Sequence, residues 1–204
     1  MEFHAVTNGK LPFSAVLHFM KEAGSKVDYL HIREKEKTAM EVFEGVMLLV
    51  QNGIPRRKIV MNDRVDVAAA AGISRVQLGY RSLSPFLVKK KWPELHAGKS
   101  VHSLEEAAAA EAEGADSVLF GHLFETGSKR ALQPRGIEKA KEISNQLSIH
   151  VLGIGGILPE HIQDLAKADL DGICVMSGIW DSSNPAEAAD QYRKALTRCK
   201  EATL

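Results

Sequence analysis

The stretch His150-Val151-Leu152-Gly153-Ile154-Gly155-Gly156-Ile157 decides the fold. An apolar run long enough for one buried strand ends in two glycines and hands over at once to a helical pattern from Pro159 to Ala168. A strand that passes straight into a helix is the opening of a βαβ unit. The next strand, Gly172–Ser177, repeats the pattern, with small residues in Val175-Met176-Ser177-Gly178-Ile179 before a further turn. Working outward, the same alternation recurs without sequence identity. Strands are predicted at Phe3–Thr7, Tyr29–Arg33, Ile59–Asn62, Arg75–Leu78, Gly98–Val101 and Ser117–Gly121.

Helical signals fill the gaps: Pro12 toward Gly24, Thr38 with Glu41 three residues on, Asp63 to Ala71, Ser84-Pro85 onward, Ser103 into the run Ala107 to Ala110, Gly136 to Gln146, and Asn184-Pro185 onward. Ser, Thr and Asn at helix starts, followed by Pro or Glu in the first turn, satisfy free backbone amides there. Eight such units in 204 residues leave about 25 residues each, the compact end of the (β/α)8 barrel range. The expected fold is therefore α/β, a compact TIM barrel of eight parallel strands in a single domain over residues 1–204. The competing doubly wound sheet normally carries Gly-x-Gly-x-x-Gly in its first turn. Here that turn reads Thr7-Asn8-Gly9-Lys10.

Composition narrows the partners. Lys plus Arg and Asp plus Glu number 26 each, giving zero formal net charge, and 45% of residues are hydrophobic. That balance suits a globular core and lacks the basic excess that favours a phosphate backbone, so nucleic acid is not expected. No apolar run reaches the length of a membrane span, and the N-terminus lacks the basic and apolar regions of a secretory signal. The two cysteines, Cys174 and Cys199, make no disulfide framework. A cytoplasmic protein without membrane partners is expected. Its oligomeric state is left open, a homodimer being the commonest arrangement.

In a barrel, chemistry belongs at the C-terminal ends of the strands. Gly155-Gly156 and Ser177-Gly178 end the seventh and eighth strands, where barrels frequently hold phosphate; the plain alternative is that these residues only make tight turns. Arg33 and Lys35 after the second strand, joined by Lys129 after the sixth, suit a carboxylate or phosphate. Equally, Arg33-Glu34-Lys35-Glu36-Lys37 can be a solvated mixed-charge loop, which fits Glu34, Glu36 and Lys37 well. Of the eight histidines, His18, His96, His150 and His161 read as structural, and His4 and His31 as core or lining residues. His122 ends an apolar strand and enters the loop Leu123-Phe124-Glu125-Thr126-Gly127-Ser128-Lys129. An imidazole there can take and give a proton near neutral pH. Ser100 and His102, two apart, face the same way on an extended strand. They form a hydroxyl with an orienting partner or simply packed polar groups.

Triad, P-loop, paired-cysteine and zinc-helix motifs are missing. Asp63 is the one carboxylate well placed for magnesium, so no metal site is expected.

Ile32-Arg33-Glu34-Lys35, Asn62-Asp63-Arg64-Val65-Asp66, Gln77-Leu78-Gly79, Gly98-Lys99-Ser100-Val101-His102, Thr126 with Lys129, and Gly153-Ile154-Gly155-Gly156-Ile157 together resemble the thiamin phosphate synthase family along nearly the whole chain. The resemblance implies a (β/α)8 barrel and a thiazole phosphate ligand. Three departures stand out. The synthase pattern Gly-Gln-x-Asp after the fourth strand is Gly79-Tyr80-Arg81-Ser82, so the magnesium-binding aspartate is a serine. The sixth-loop pattern Gly-Pro-x-x-Pro-Thr-x-Thr-Lys has His122 in place of its first proline. The glutamine before Leu-Arg in the second strand is His31.

This combination is similar to the TenI-type thiazole tautomerases of that family. It implies an isomerase that converts a carboxylated thiazole phosphate tautomer to the aromatic 2-(2-carboxy-4-methylthiazol-5-yl)ethyl phosphate, with no cofactor. His122 would move the proton. Arg33, Asn62 and Ser100 would orient the ring; Lys35, Thr126 and Lys129 would complete the anion site; Gly155, Gly156, Ser177 and Gly178 would hold the phosphate. The alternatives are a magnesium-dependent thiamin phosphate synthase and a non-catalytic regulatory barrel that binds thiazole phosphate.

Overall fold

The computed structural model describes residues 1–127 and 132–201. Strands β1 (Glu2–Val6), β2 (Tyr29–Ile32), β3 (Ile59–Asn62), β4 (Arg75–Leu78), β5 (His96–Val101), β6 (Ser117–Gly121), β7 (His150–Ile154) and β8 (Gly172–Val175) pair in parallel, each with its sequence neighbours. Pairing of β8 with β1 closes the barrel and excludes the open doubly wound sheet. Helices α1 (Phe13–Ala23), α2 (Ala39–Gln51), α3 (Val65–Ala71), α4 (Pro85–Lys91), α5 (Leu104–Ala112), α6 (Ile137–Gln146) and α7 (Ile162–Lys167) connect successive strands. The short α8 (Ser177–Trp180) and long α9 (Pro185–Glu201) follow β8.

The capping signals act as the sequence suggests. Thr38 Oγ1 accepts from the Glu41 amide at 3.3 Å and the Glu41 carboxylate accepts from the Thr38 amide at 2.7 Å. Ser84 and Ser103 accept from Leu87 and Glu106 amides at 3.4 and 3.2 Å. Each such cap is worth about 0.5–2 kcal/mol. Several boundaries differ from expectation by one or two residues, and three of the differences have a visible cause. Helix α3 starts at Val65 because Asp63 has φ 67°, left-handed backbone that a right-handed helix cannot include. The eighth strand stops at Val175, because the amides of Ile179 and Trp180 turn back to the Met176 carbonyl and open α8. The Pro159–Ala168 helix resolves into a 3-10 turn, Pro159–His161, followed by α7.

Side chains alternate across each strand. Phe3 and Ala5, Leu30 and Ile32, Val118 and Phe120, Ile173 and Val175 point outward and join the helices in one continuous apolar core. The inward positions differ: Val6, Leu119, Leu152 and Cys174 make only a small apolar cluster, and His4, His31, Gln77 and Ser117 are buried polar neighbours.

Helix α9 ties the ends of the barrel together. The Tyr192 hydroxyl donates to the Ile157 carbonyl at 2.8 Å, while Arg193 donates to Asp28 at 2.8 Å and to the Lys26 carbonyl at 2.6 Å. Burial raises the Asp28 pKa, but hydrogen bonds from Arg193 and the Phe3 amide outweigh it and hold the carboxyl below its ordinary value. Among the described residues, no helix is long and apolar enough to cross a membrane.

Candidate functional site

A cavity of about 650 Å³ opens at the C-terminal ends of the strands, a volume in the usual range of small-molecule sites. Arg33, Lys35, Asn62, Ser100, His122, Thr126, Gly155, Gly156, Ser177 and Gly178 all line it. Residues spread over most of the chain thus converge on one mouth. Lys129, the remaining expected binding residue, lies outside the described residues.

His122 follows β6 and is 3% exposed. Its Nε2 lies 3.2 Å from the Leu132 carbonyl oxygen. A carbonyl only accepts, so this contact places the proton of the neutral ring on Nε2 and leaves a lone pair on Nδ1. Nδ1 is buried and finds no hydrogen-bond partner among the described residues. A buried polar atom without a partner costs about 1–3 kcal/mol and is uncommon. Here it belongs to a residue on the cavity wall. The backbone around it is firmly held: Leu123 and Phe124 amides donate to Ile154 and Gly155 carbonyls at 2.9 and 3.0 Å, and Arg135 donates from Nε to the Gly121 carbonyl at 3.0 Å. The Phe124 ring stacks on His161 at 3.8 Å.

The glycines after β7 have two duties. Gly155 has φ 100°, and a Cβ there would come 2.3 Å from the Cβ of His122. Gly156 has φ 66°, and its Cβ would meet the Glu125 carbonyl at 2.2 Å. Both therefore let the β6 and β7 loops touch, beyond making a tight turn. The Gly156 amide donates to no acceptor among the described residues, which leaves it free for an anion. Gly178 borders Tyr192, whose hydroxyl would lie 2.2 Å from an added Cβ. Small size is needed there for packing α8 against α9.

The cavity is electropositive. Arg33, Lys35 and Arg81 line it, against Asp63 as the only carboxylate among the described lining residues. The zero net charge is thus unevenly distributed. Glu34 departs from the solvated-loop reading: its side chain is 2% exposed and ion-paired with Lys37. Arg33 is fixed through its backbone, whose amide donates to Thr7 Oγ1 at 2.8 Å.

Ser100 and His102 do not pair with each other. Ser100 Oγ accepts from Gln77 Nε2 at 3.2 Å, whereas the His102 ring lies 3.3 Å from Glu106 and edge-on to Tyr80. Gln77 fits inside the barrel because Gly98 has no side chain; a Cβ there would approach Gln77 Oε1 to 2.5 Å. Sequence reasoning on the residues alone passed over Gln77, Arg81 and Met176, which also line the cavity. The inward alternation of β4 is the signal that could have found Gln77.

His31 lines the cavity too, with Nε2 2.9 Å from His4 Nδ1. His4 Nε2 is in turn 3.0 Å from Glu2. Burial, reinforced by repulsion from the Arg75 charge and from His4 when it is protonated, pushes His31 well below the usual imidazole pKa. Burial and the Glu2 charge push the Cys174 thiol upward.

The family model described as thiamine monophosphate synthase (TMP-TENI) matches residues 3–179. The chain belongs to this family. Among its relatives, a thiamine-phosphate synthase of Desulfitobacterium hafniense (strain Y51) is 36% identical over 184 residues, 87% of each chain. Another, from Pyrococcus abyssi (strain GE5 / Orsay), is 38% identical over 136 residues, 67% of this chain and 66% of that protein. Among solved structures, a thiamine phosphate pyrophosphorylase from Pyrococcus furiosus superposes with a TM-score of 0.83 at 27% identity, covering 97% of this chain and 96% of that one. Family membership places the barrel in thiamine biosynthesis, among relatives described as thiamine-phosphate synthases.

Proposed function

We propose that this family member is a thiazole tautomerase, an isomerase acting on a carboxylated thiazole phosphate. The observation that carries this reading is the buried Nδ1 of His122 on the cavity wall, which has no hydrogen-bond partner among the described residues. With Nε2 engaged by the Leu132 carbonyl, Nδ1 is the free basic atom. It would remove the ring proton, and the resulting imidazolium would return a proton to the exocyclic carbon, so the ring becomes aromatic with no net proton gained or lost. General acid–base catalysis of this kind contributes about 10²- to 10⁴-fold.

The remaining groups bind and orient. Gly155, Gly156, Ser177 and Gly178 border the phosphate end, and the Gly156 amide, which donates to no acceptor among the described residues, supplies a donor. Arg33, Lys35 and Thr126 supply further donors around the ligand. Asn62 and Ser100 bear on the ring, Ser100 being held by Gln77. The expected Lys129 contact remains part of the proposal.

A second reading, thiamin phosphate synthase, is favoured by the names of the relatives. It requires magnesium. Asp63 is the only carboxylate among the described lining residues, and Ser82 Oγ accepts from the Gly79 amide at 2.6 Å within its own turn. Magnesium prefers hard oxygen ligands, usually one or two carboxylates with substrate phosphates. The residues present fit that ion poorly.

One assay separates these readings and the non-catalytic alternative. The protein is incubated with the thiazole tautomer and aromatic absorbance is followed, without metal and then with magnesium and pyrimidine pyrophosphate. Metal-free aromatisation is expected. Magnesium-dependent condensation alone would select the synthase, and binding without turnover would select a regulatory barrel.

A further inference from the structure

Two histidines and a cysteine that lie far apart in sequence meet inside the barrel. Strands β8, β1 and β2 are neighbours, and the register sets His4 directly beside Cys174, with both side chains turned inward. His31 joins from β2, at 2.9 Å between its Nε2 and His4 Nδ1. The ligand-type atoms of His4, His31 and Cys174 all lie within 4.8 Å of one another, and all three residues are buried. His31 and Cys174 also line the mouth cavity, while His4 and His31 line a small polar pocket with Glu2, Arg75, His96 and His150 toward the opposite end.

We propose that His4 Nδ1, His31 Nε2 and Cys174 Sγ form a binding site for a borderline-soft divalent metal of the zinc class, open to the cavity at its fourth position. Tetrahedral zinc bonds of about 2.0–2.1 Å to nitrogen and 2.3 Å to sulfur hold the donor atoms about 3.3–3.6 Å apart. The 2.9 Å histidine pair and the 4.8 Å outer limit bracket that spacing, so side-chain shifts of about an ångström or less are sufficient. Two nitrogens and one sulfur match the preference of zinc over magnesium or calcium.

The outer contacts point the same way. Glu2 accepts from His4 Nε2 at 3.0 Å, which fixes the tautomer that turns the Nδ1 lone pair toward His31. Carboxylate, histidine and metal in that order is a recurrent arrangement, in which the carboxylate orients the ring and raises its basicity. Without metal, His31 Nε2 carries a proton and donates it to the His4 Nδ1 lone pair across the 2.9 Å gap. On metal binding that proton shifts to His31 Nδ1, keeping the ring neutral, and the Cys174 thiol releases its proton to solvent. Two metal–nitrogen bonds and one metal–thiolate bond form. The net single positive charge of the metal–thiolate centre faces the Glu2 carboxylate.

The cluster is independent of the tautomerase proposal, so its test uses metal alone. Chelator-stripped full-length protein is titrated with Zn²⁺ by calorimetry, and Co²⁺ is used to report the ligands by absorption. The expected result is one equivalent of Zn²⁺ per chain, with a thiolate-to-cobalt charge-transfer band. Cys174→Ala should abolish that band, and both Cys174→Ala and His31→Gln should weaken Zn²⁺ by at least about 10-fold, the lower end of what losing even an outer partner costs. Cys199→Ser should bind as the parent does. No stoichiometric Zn²⁺ binding, or binding and a thiolate band that survive Cys174→Ala, would overturn the site. Unfolding midpoints of the stripped variants show whether they fold, and His31→Gln serves alone should Cys174→Ala fail to fold.

Discussion

The layer between sheet and helices and the space inside the barrel are built on opposite rules, although the same strands make both. On β6, Val118 and Phe120 turn outward into the continuous apolar core, whereas Ser117 and Leu119 turn inward. On β1, Phe3 and Ala5 are outward and His4 is inward. Outer positions face amphipathic helices that must bury an apolar stripe, so their identity is set by packing. Inner positions face one another across a narrow space where polar groups can satisfy each other. The Glu2–His4–His31 chain and the Gln77–Ser100 contact do so. Stability and chemistry are therefore carried by alternate residues and should be separable by mutation.

The sharpest way to break that separation is at the end of β6. His122→Ala should lower tautomerase turnover by about 10²- to 10⁴-fold, while the denaturant midpoint stays close to the parent's, because removing a buried nitrogen that has no partner among the described residues offsets the loss of the Nε2 contact with the Leu132 carbonyl. A large loss of stability would show that His122 is a packing residue. Two positions earlier, Phe120→Ala should do the reverse. Phe120 is fully buried in the outer core, and its truncation is expected to cost about 3–5 kcal/mol in equilibrium unfolding. Turnover per folded molecule should stay within a few-fold of the parent at low temperature; a collapse of turnover in fully folded protein would mean that the two layers are coupled.

Gly155→Ala tests the seam between the regions. Its positive φ and the 2.3 Å approach to His122 predict about 1–3 kcal/mol of strain. Displacement of the imidazole should cut turnover by up to about 10²-fold. Parent-like unfolding and kinetics together would remove Gly155 from the positioning of His122. The smallest effect belongs to the outer electrostatics. With its folded pKa depressed, Asp28 stabilises fully above the unfolded carboxyl value near pH 4, and that contribution disappears as pH falls through the lower folded value. Because the side chain is 41% exposed, screening keeps the effect below about 1 kcal/mol. Asp28→Asn should lower the unfolding midpoint at pH 6 and match the parent near pH 2; an equal difference at both would exclude charge as the cause.

Much of the fold was legible because its signals are local. Ser84 and Ser103 announce their helices by capping, and the glycines after β7 announce a sharp exit. Boundaries failed where a single backbone angle decided them, as at Asp63. The cavity lining was also largely legible, since strand-end residues in a barrel must converge. Glu34 misled because nothing in a mixed-charge run tells which charge folds inward. Gln77 escaped notice because its place depends on Gly98 of the next strand.

The chain alone determined the alternation of strands and helices, the capped helix starts and the small residues after β7 and β8. These depend on side-chain period and backbone freedom within a few residues. Only the closed barrel decided that Nδ1 of His122 lacks a partner among the described residues, that Glu34 is buried, and that His4, His31 and Cys174 become neighbours. Those facts rest on register across strands and on the closing of β8 against β1. Contacts such as that of His4 with Cys174, 170 positions apart, leave no periodic trace in the sequence, because each needs the inward side of several strands at once.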